Sequence, residues 1–123
     1  MTFYKCKKCG AIATYVKGSC ALKCCNEDMI VLKANETDGA KEKHVPAVSV
    51  DGNMVCVQVG EVAHPMLEEH YIEFIALETE QGVQIKYLKP GEEPKACFAL
   101  VEGDKAIAVY EHCNLHGLWK IVL

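Results

Sequence analysis

The sequence predicts an all-β protein: a small metal-bound N-terminal domain followed by a seven-stranded, immunoglobulin-like β-sandwich. Three observations predict it. Cysteines at positions 6, 9, 24 and 25 crowd the first segment, which is too short to build its own apolar core. Beyond residue 45, apolar residues alternate with polar ones in short runs, as strands with one buried face require. Gly-, Asp- and Pro-containing turn signals separate several of those runs.

Half of the 123 residues are hydrophobic and 24% are charged, a composition that supports a packed interior. The formal net charge of −4 leaves no electrostatic footprint for nucleic acid or an anionic membrane. An anionic substrate would need positive charge supplied locally. No apolar run approaches the roughly 18–20 residues of a spanning helix, and residues 1–20 carry four lysines and no signal-peptide core. A cytoplasmic, soluble protein is expected. In that compartment eight cysteines read as metal ligands before disulfides.

Residues 1–36 form the predicted first domain. Cys6-Lys7-Lys8-Cys9-Gly10 is a Cys-x-x-Cys knuckle, with Gly10 letting the backbone turn its amides toward the sulfurs. Cys24 and Cys25 follow after 14 intervening residues. Four thiolates can enclose one ion tetrahedrally, although adjacent residues normally point apart. Asn26 tolerates the left-handed backbone such a pair needs. Cys20 is expected to stay free. Short strands are predicted over 11–16, 21–23 and 29–33. A structural zinc knuckle fits this spacing equally well.

Asn35-Glu36-Thr37-Asp38-Gly39 reads as the linker, and 37–123 as the second domain, opened by a helical turn over 40–43. Strands are predicted over 47–50, 55–59, 71–78, 83–87, 96–101, 106–111 and 118–122. Cys56 and Cys97 fall inside strand runs and are expected to be small core residues, not a disulfide. His44, His64 and His70 sit where strand patterns break. Cys113-Asn114-Leu115-His116-Gly117 places a thiolate and an imidazole three residues apart on a bend. Rims of a sandwich gather loops, so these five side chains can meet on one ion. A structural zinc site closes at four ligands. Five candidates point to a metal with one open face. His112 is expected to be structural or exposed.

The same stretches carry a family resemblance. Tyr4-Lys5-Cys6-Lys7-Lys8-Cys9-Gly10, Cys24-Cys25, Lys41-Glu42-Lys43-His44-Val45-Pro46, Val62-Ala63-His64-Pro65-Met66, Glu69-His70-Tyr71-Ile72-Glu73, Leu88-Lys89-Pro90-Gly91 and Cys113-Asn114-Leu115-His116-Gly117-Leu118-Trp119 run through nearly the whole chain. In that order they resemble desulfoferrodoxin, the two-iron form of superoxide reductase. Asn26 stands where the family usually has glycine, and His112 where an aromatic is common.

The resemblance implies two irons per chain. Cys6, Cys9, Cys24 and Cys25 would hold one in a desulforedoxin-like fold that also makes a homodimer contact. His44, His64, His70 and His116 would surround the other in a plane, with Cys113 axial. It implies superoxide as substrate, reduced to hydrogen peroxide, and a rubredoxin-like electron donor. Glu42 would occupy the open position in the resting ferric state, and Lys43 would attract and orient superoxide. Trp119 and Tyr71 would pack near the site. The alternative is an iron electron-transfer protein with no substrate site. A zinc-stabilised interaction module is a third reading, which iron in the protein would exclude.

Overall fold

A computed structural model describes residues 1–36 and 41–123, with the backbone alone at 41 and 42. Among them the chain is nearly all β, with a single helical turn. It divides into two compact units, Met1–Lys33 and Ala34–Leu123.

In the first unit, β1 (Phe3–Lys5) is the centre of a three-stranded sheet, paired with β2 (Ile12–Thr14) and β5 (Ile30–Val31). A second ribbon pairs β3 (Lys23–Cys24) with β4 (Glu27–Asp28). Strand β1 immediately precedes the knuckle and escapes a search for alternation, because three residues are too few to show a period. Phe3 and Cys6 are the buried apolar side chains of this unit. So small an apolar interior leaves the cysteine group to hold the unit together.

The second unit is the sandwich. The turn α1 (Lys41–His44) leads into β6 (Pro46–Asp51), which pairs in register with β7 (Met54–Val59) across the Gly52 turn. β8 (Ile72–Thr79) and β9 (Val83–Tyr87) form a second hairpin. β10 (Lys95–Ala99) returns to β7, and β11 (Ala106–Cys113) and β12 (Gly117–Val122) complete the other sheet. The sheets are ordered β10-β7-β6 and β12-β11-β8-β9. All seven predicted strands are present, each within a few residues of its expected ends.

Alternation sets what faces inward. Val55, Val57, Val59, Ala96 and Phe98 from one sheet meet Ile72, Ile75, Leu77 and Val109 from the other. Cys113 belongs to the same buried cluster, so the core runs to the rim that carries the last predicted ligands. The two sheets are also joined along one edge: Gln84 Nε2 donates to the Ala99 carbonyl at 3.0 Å, and Lys86 Nζ donates to the Cys97 carbonyl.

The same alternation overturns the expectation for Cys56 and Cys97. On β7 the valines point inward, so Cys56 points outward, and Ala96 and Phe98 do the same to Cys97. The two cysteines are direct register partners, 4.1 Å apart at Cα, and are joined by a disulfide. They are neither core residues nor free thiols.

Local features place the loops. Asn35, at a φ of 65°, receives the Lys120 amide on Oδ1 at 2.9 Å and donates from its own amide to the Leu118 carbonyl at 2.9 Å. This pins the segment before the predicted linker along β12. Linker residues 37–39 lie outside the described residues. At the far end of β7, Gly60 adopts a φ of +82°, and its amide donates to the Val45 carbonyl at 3.1 Å. A Cβ at this position would lie 2.5 Å from the carbonyl oxygens of both Lys43 and Val62. The bare glycine therefore lets the strand end press against the backbone before His44 and before His64. Gly60→Ala should destabilise the second unit by about 2 kcal/mol or more, from left-handed strain plus backbone clash. It should also lower metal occupancy at the histidine cluster; denaturant melts and metal analysis of the variant would check this.

Candidate metal centres

The structure brings together two groups of donors: His44, His64, His70, Cys113 and His116, and separately Cys6, Cys9, Cys24 and Cys25, with the donor atoms of each group within 4.8 Å of one another.

In the cysteine group, Cys6 and Cys9 flank a tight turn closed by Gly10, whose amide donates to the Cys6 carbonyl at 2.9 Å. The Cys9 amide points at the Cys6 sulfur, 3.5 Å away, and this donor pulls the Cys6 thiol down to about 7. Cys24 and Cys25 reach the same point because the backbone turns left-handed at Cys25 and again at Asn26, with φ of 53° and 61°. Their sulfurs are 3.8 Å apart, and Cys9 lies 3.6 Å from Cys24. Crowding by Cys9, Cys6 and Cys25 pushes Cys24 up to about 12. Four thiolates so close repel one another unless a cation lies between them, which is the chemistry of a tetrahedral thiolate site. Cys20 stands outside the group, as expected. Its sulfur is 2.8 Å from the Tyr15 hydroxyl.

The second group lies at the rim of the sandwich. His44 ends α1, and His64 and His70 come from the β7–β8 connection. Cys113 and His116 bracket the β11–β12 turn. Ring centroids follow the cycle His44, His64, His70, His116 at 4.6, 4.7, 5.0 and 4.8 Å, whereas His44 and His70 stand 6.4 Å apart. A square of side 4.8 Å has a diagonal of about 6.8 Å (4.8 × √2), close to the separation found. A tetrahedral set would make all these separations equal. The four imidazoles therefore form a nearly square frame, and the Cys113 sulfur lies 3.9 Å from His116 Nδ1 as the fifth donor.

Each donor is held by identifiable neighbours. His64 Nδ1 bonds the Pro65 carbonyl at 2.7 Å, leaving Nε2 buried without a hydrogen-bond partner. His70 Nε2 is likewise buried and unpartnered. The His70 backbone is fixed by a two-way bridge to Leu67 at 2.9 and 3.1 Å. His44 stacks on Trp119 at 4.9 Å and 10°, and its Nδ1 faces the buried Glu111 carboxylate at 3.8 Å. Trp119 Nε1 in turn donates to the His116 carbonyl at 3.0 Å. Histidines that bind metals commonly set their second nitrogen against a carboxylate or carbonyl. His64 follows this pattern, whereas His44 Nδ1 stays beyond hydrogen-bond distance of Glu111.

Electrostatics agree with a cation site. Burial, then the neighbouring imidazoles and Lys43, pulls His44 down to about 4. Burial also lowers His64 to about 4, and His70 falls for the same reason. Neutral imidazoles with buried, unpartnered nitrogens have the donor chemistry a metal ion requires. Burial pushes the Cys113 thiol up, and the amides of His116 and Leu115, directed at its sulfur, oppose that. A metal ion is what would keep Cys113 a thiolate here.

These observations support one family. A family model described as Desulfoferrodoxin matches residues 36–122. The chain is 46% identical to the desulfoferrodoxin homolog of Archaeoglobus fulgidus, over 98% of this chain and 95% of that protein. The chain belongs to the desulfoferrodoxin family. The crystal structure of the superoxide reductase from Treponema pallidum superposes with a TM-score of 0.83 at 38% identity, covering 98% of this chain and 97% of that one. The one-iron superoxide reductase from Giardia intestinalis gives a TM-score of 0.58 at 36% identity, covering 68% of this chain and 98% of that one. The four-cysteine and four-histidine, one-cysteine groups match the two-iron arrangement of desulfoferrodoxins.

Of the other residues singled out, Lys43 is exposed beside His44, and the side chain of Glu42 lies outside the described residues. Two supports could not be placed from the sequence. One is the amide pair of Leu115 and His116 on the Cys113 sulfur. The other is Asn114. Its Oδ1 accepts the Tyr71 amide at 2.9 Å, and its Nδ2 donates to the Glu69 carbonyl at 3.1 Å. It thereby clamps both sides of His70 to the Cys113–His116 turn. The signal available was only its place between two candidate ligands. His112, expected to be structural or exposed, is buried and bonded through Nδ1 to Glu73 at 2.7 Å, with its ring stacked on Phe74. Asn114→Ala should weaken metal retention at the histidine cluster by about 10–100-fold, the usual cost of losing an outer support. The cysteine group should be unaffected. Chelator-competition titrations following both centres would measure this.

Proposed function

We propose that this desulfoferrodoxin is a superoxide reductase. It would reduce superoxide to hydrogen peroxide at an iron held by His44, His64, His70, His116 and Cys113. The observation that carries this reading is the square imidazole frame with a thiolate as fifth donor, because five donors leave an octahedral ion one open position. Proteins similar to this chain along its length and within the fold carry the name superoxide reductase, which supports the assignment.

Bound ferrous iron would supply the one electron that superoxide takes up, while solvent or nearby groups supply two protons. The rest is done by the chain. Four neutral imidazoles add no charge and one thiolate adds −1, so a divalent ion there keeps a net +1 to attract an anion. Lys43 adds to it: its charge is felt at His44, His64 and His70, so the ammonium lies within electrostatic reach of the frame. Lys43 would steer and orient superoxide in a protein that is otherwise acidic. Glu42, one residue earlier, would cover the open position in the resting state. Cys113 would be the one anionic donor to the ion, and the Leu115 and His116 amides would moderate the charge on its sulfur. Trp119 covers His44 and limits water at that corner.

In this reading residues 1–36 are the four-cysteine iron domain and 37–123 the catalytic domain. The first iron would store an electron. A rubredoxin-like protein would be the donor, two chains would pair, and the protein would work in the cytoplasm. Among the described residues no helix is long and apolar enough to cross a membrane.

Two measurements test the proposal. Ferrous protein mixed with superoxide should yield one hydrogen peroxide per superoxide consumed and no dioxygen. Dioxygen at half the superoxide consumed would mean dismutation and would sink the reading. Lys43→Ala should slow the encounter by about 10-fold or more and flatten its salt dependence. An unchanged rate across ionic strength would remove Lys43 from the mechanism.

A further inference from the structure

The disulfide between Cys56 and Cys97 shares no residue with either metal group and lies on the outward face of the β10-β7-β6 sheet. We propose that these two cysteines form a reversible redox couple, closed to the disulfide by hydrogen peroxide and reopened by a dithiol that enters the groove beside them.

Four features carry this. The pairing needs no rearrangement, since Cys56 and Cys97 are direct cross-strand partners with Cα atoms 4.1 Å apart. The sheet does not depend on the covalent bond. β7 and β10 are paired over five register positions, and Val55, Val57, Ala96 and Phe98 anchor them in the core. The dithiol form therefore keeps the same fold. The sulfurs are accessible: Cys97 is exposed, Cys56 is half-buried, and both line an open groove of about 410 Å³ with Ser49, Gln58 and Lys95. Thiol exchange requires such access. Lys95 lies two residues from Cys97 on the same face, but its charge is shared with Glu93 at 3.8 Å and with Glu61 in the groove wall.

The fourth feature is chemical. Cys6, Cys9, Cys24, Cys25 and Cys113 are free, and their metal chemistry requires thiolates. Where a reducing compartment keeps such thiolates available, the disulfides that do form there are usually transient and redox-active.

The steps balance. The Cys97 thiolate attacks one oxygen of hydrogen peroxide, the O–O bond breaks, and Cys97 becomes a sulfenic acid as the leaving hydroxide takes a proton to form water. The Cys56 thiolate then attacks the Cys97 sulfur, the S–S bond forms and a second water leaves. In return, a thiolate of an external dithiol attacks the more exposed Cys97 sulfur, and Cys56 departs as thiolate. The second thiol of the reductant resolves the mixed disulfide and leaves oxidised. The natural source of the peroxide rests on the superoxide reductase reading. The couple itself is tested with peroxide added from outside, so the two readings fail separately.

The disulfide spans a sequence separation of 41 residues, and that stretch contains His64 and His70. Closing it fastens both ends of the segment that carries half the imidazole frame.

The test uses folded, iron-loaded protein under anaerobic conditions, with differential alkylation and peptide mapping. Dithiothreitol should make Cys56 and Cys97 fully alkylatable without unfolding. A stoichiometric pulse of hydrogen peroxide should then abolish alkylation at both and produce a linked peptide lighter by two hydrogens. In Cys56→Ser, dimedone should trap the sulfenic acid on Cys97. A cross-link that resists dithiothreitol until guanidinium is added would overturn the proposal in favour of a static staple. A dithiol that peroxide leaves unchanged would overturn it equally. If Cys56→Ser fails to fold, the two wild-type steps still decide.

Discussion

Everything in the second unit answers to one electrostatic constraint: five metal-seeking side chains are collected where the apolar core ends. His44, His64 and Cys113 are almost wholly removed from water, and Cys113 belongs to the core itself. Burial holds the imidazoles neutral and resists the thiolate. Without a cation the cluster is a set of orphaned lone pairs in a low-dielectric setting. With one, the same burial strengthens every bond to it. Rigid supports around the cluster make sense on these terms: the Gly60 contact, the Asn114 clamp and the Trp119 stack all fix backbone or ring position before any metal arrives.

The first unit solves the opposite problem. It has little apolar interior and exposed sulfurs, so the metal group stands in for a core. Two successive left-handed residues, Cys25 and Asn26, let adjacent cysteines face one point. Such backbone is costly for residues with a Cβ. It persists because the turn is over-determined by the β3–β4 pairing on either side and by the thiol cluster.

Much of this was legible in the sequence. Strand alternation and turn residues located all seven sandwich strands, because burial of one face imposes period two. The donor groups were legible because cysteine and histidine are scarce and their spacing is chemical. In the first unit the predicted runs 11–16, 21–23 and 29–33 overlap β2, β3 and β5, whereas β1 and β4 are too short to show a period. The Asn114 clamp depends on a partner 45 residues away and leaves no local trace. Cys56 and Cys97 show a different kind of failure. Their neighbours' alternation already placed them outward, but the general burial preference of cysteine was given more weight than parity on the strand. The direct opposition of the two depends on the β7–β10 register, which pairing across a sequence separation of 41 fixes and which neither strand alone reveals.

The β11–β12 turn carries a consequence for synthesis on the ribosome. The cysteine group is complete once Cys25 has been added, whereas the histidine cluster waits for His116, some 90 residues later. At about 5–20 residues per second this is a delay on the order of 5–20 s. During that interval His44, His64 and His70 exist without the hairpin that supplies the remaining two donors. A nascent chain can thus mature its first centre while the second still lacks its thiolate. Any stall before residue 113 yields a chain with one finished metal group and a frame missing a corner and its axis.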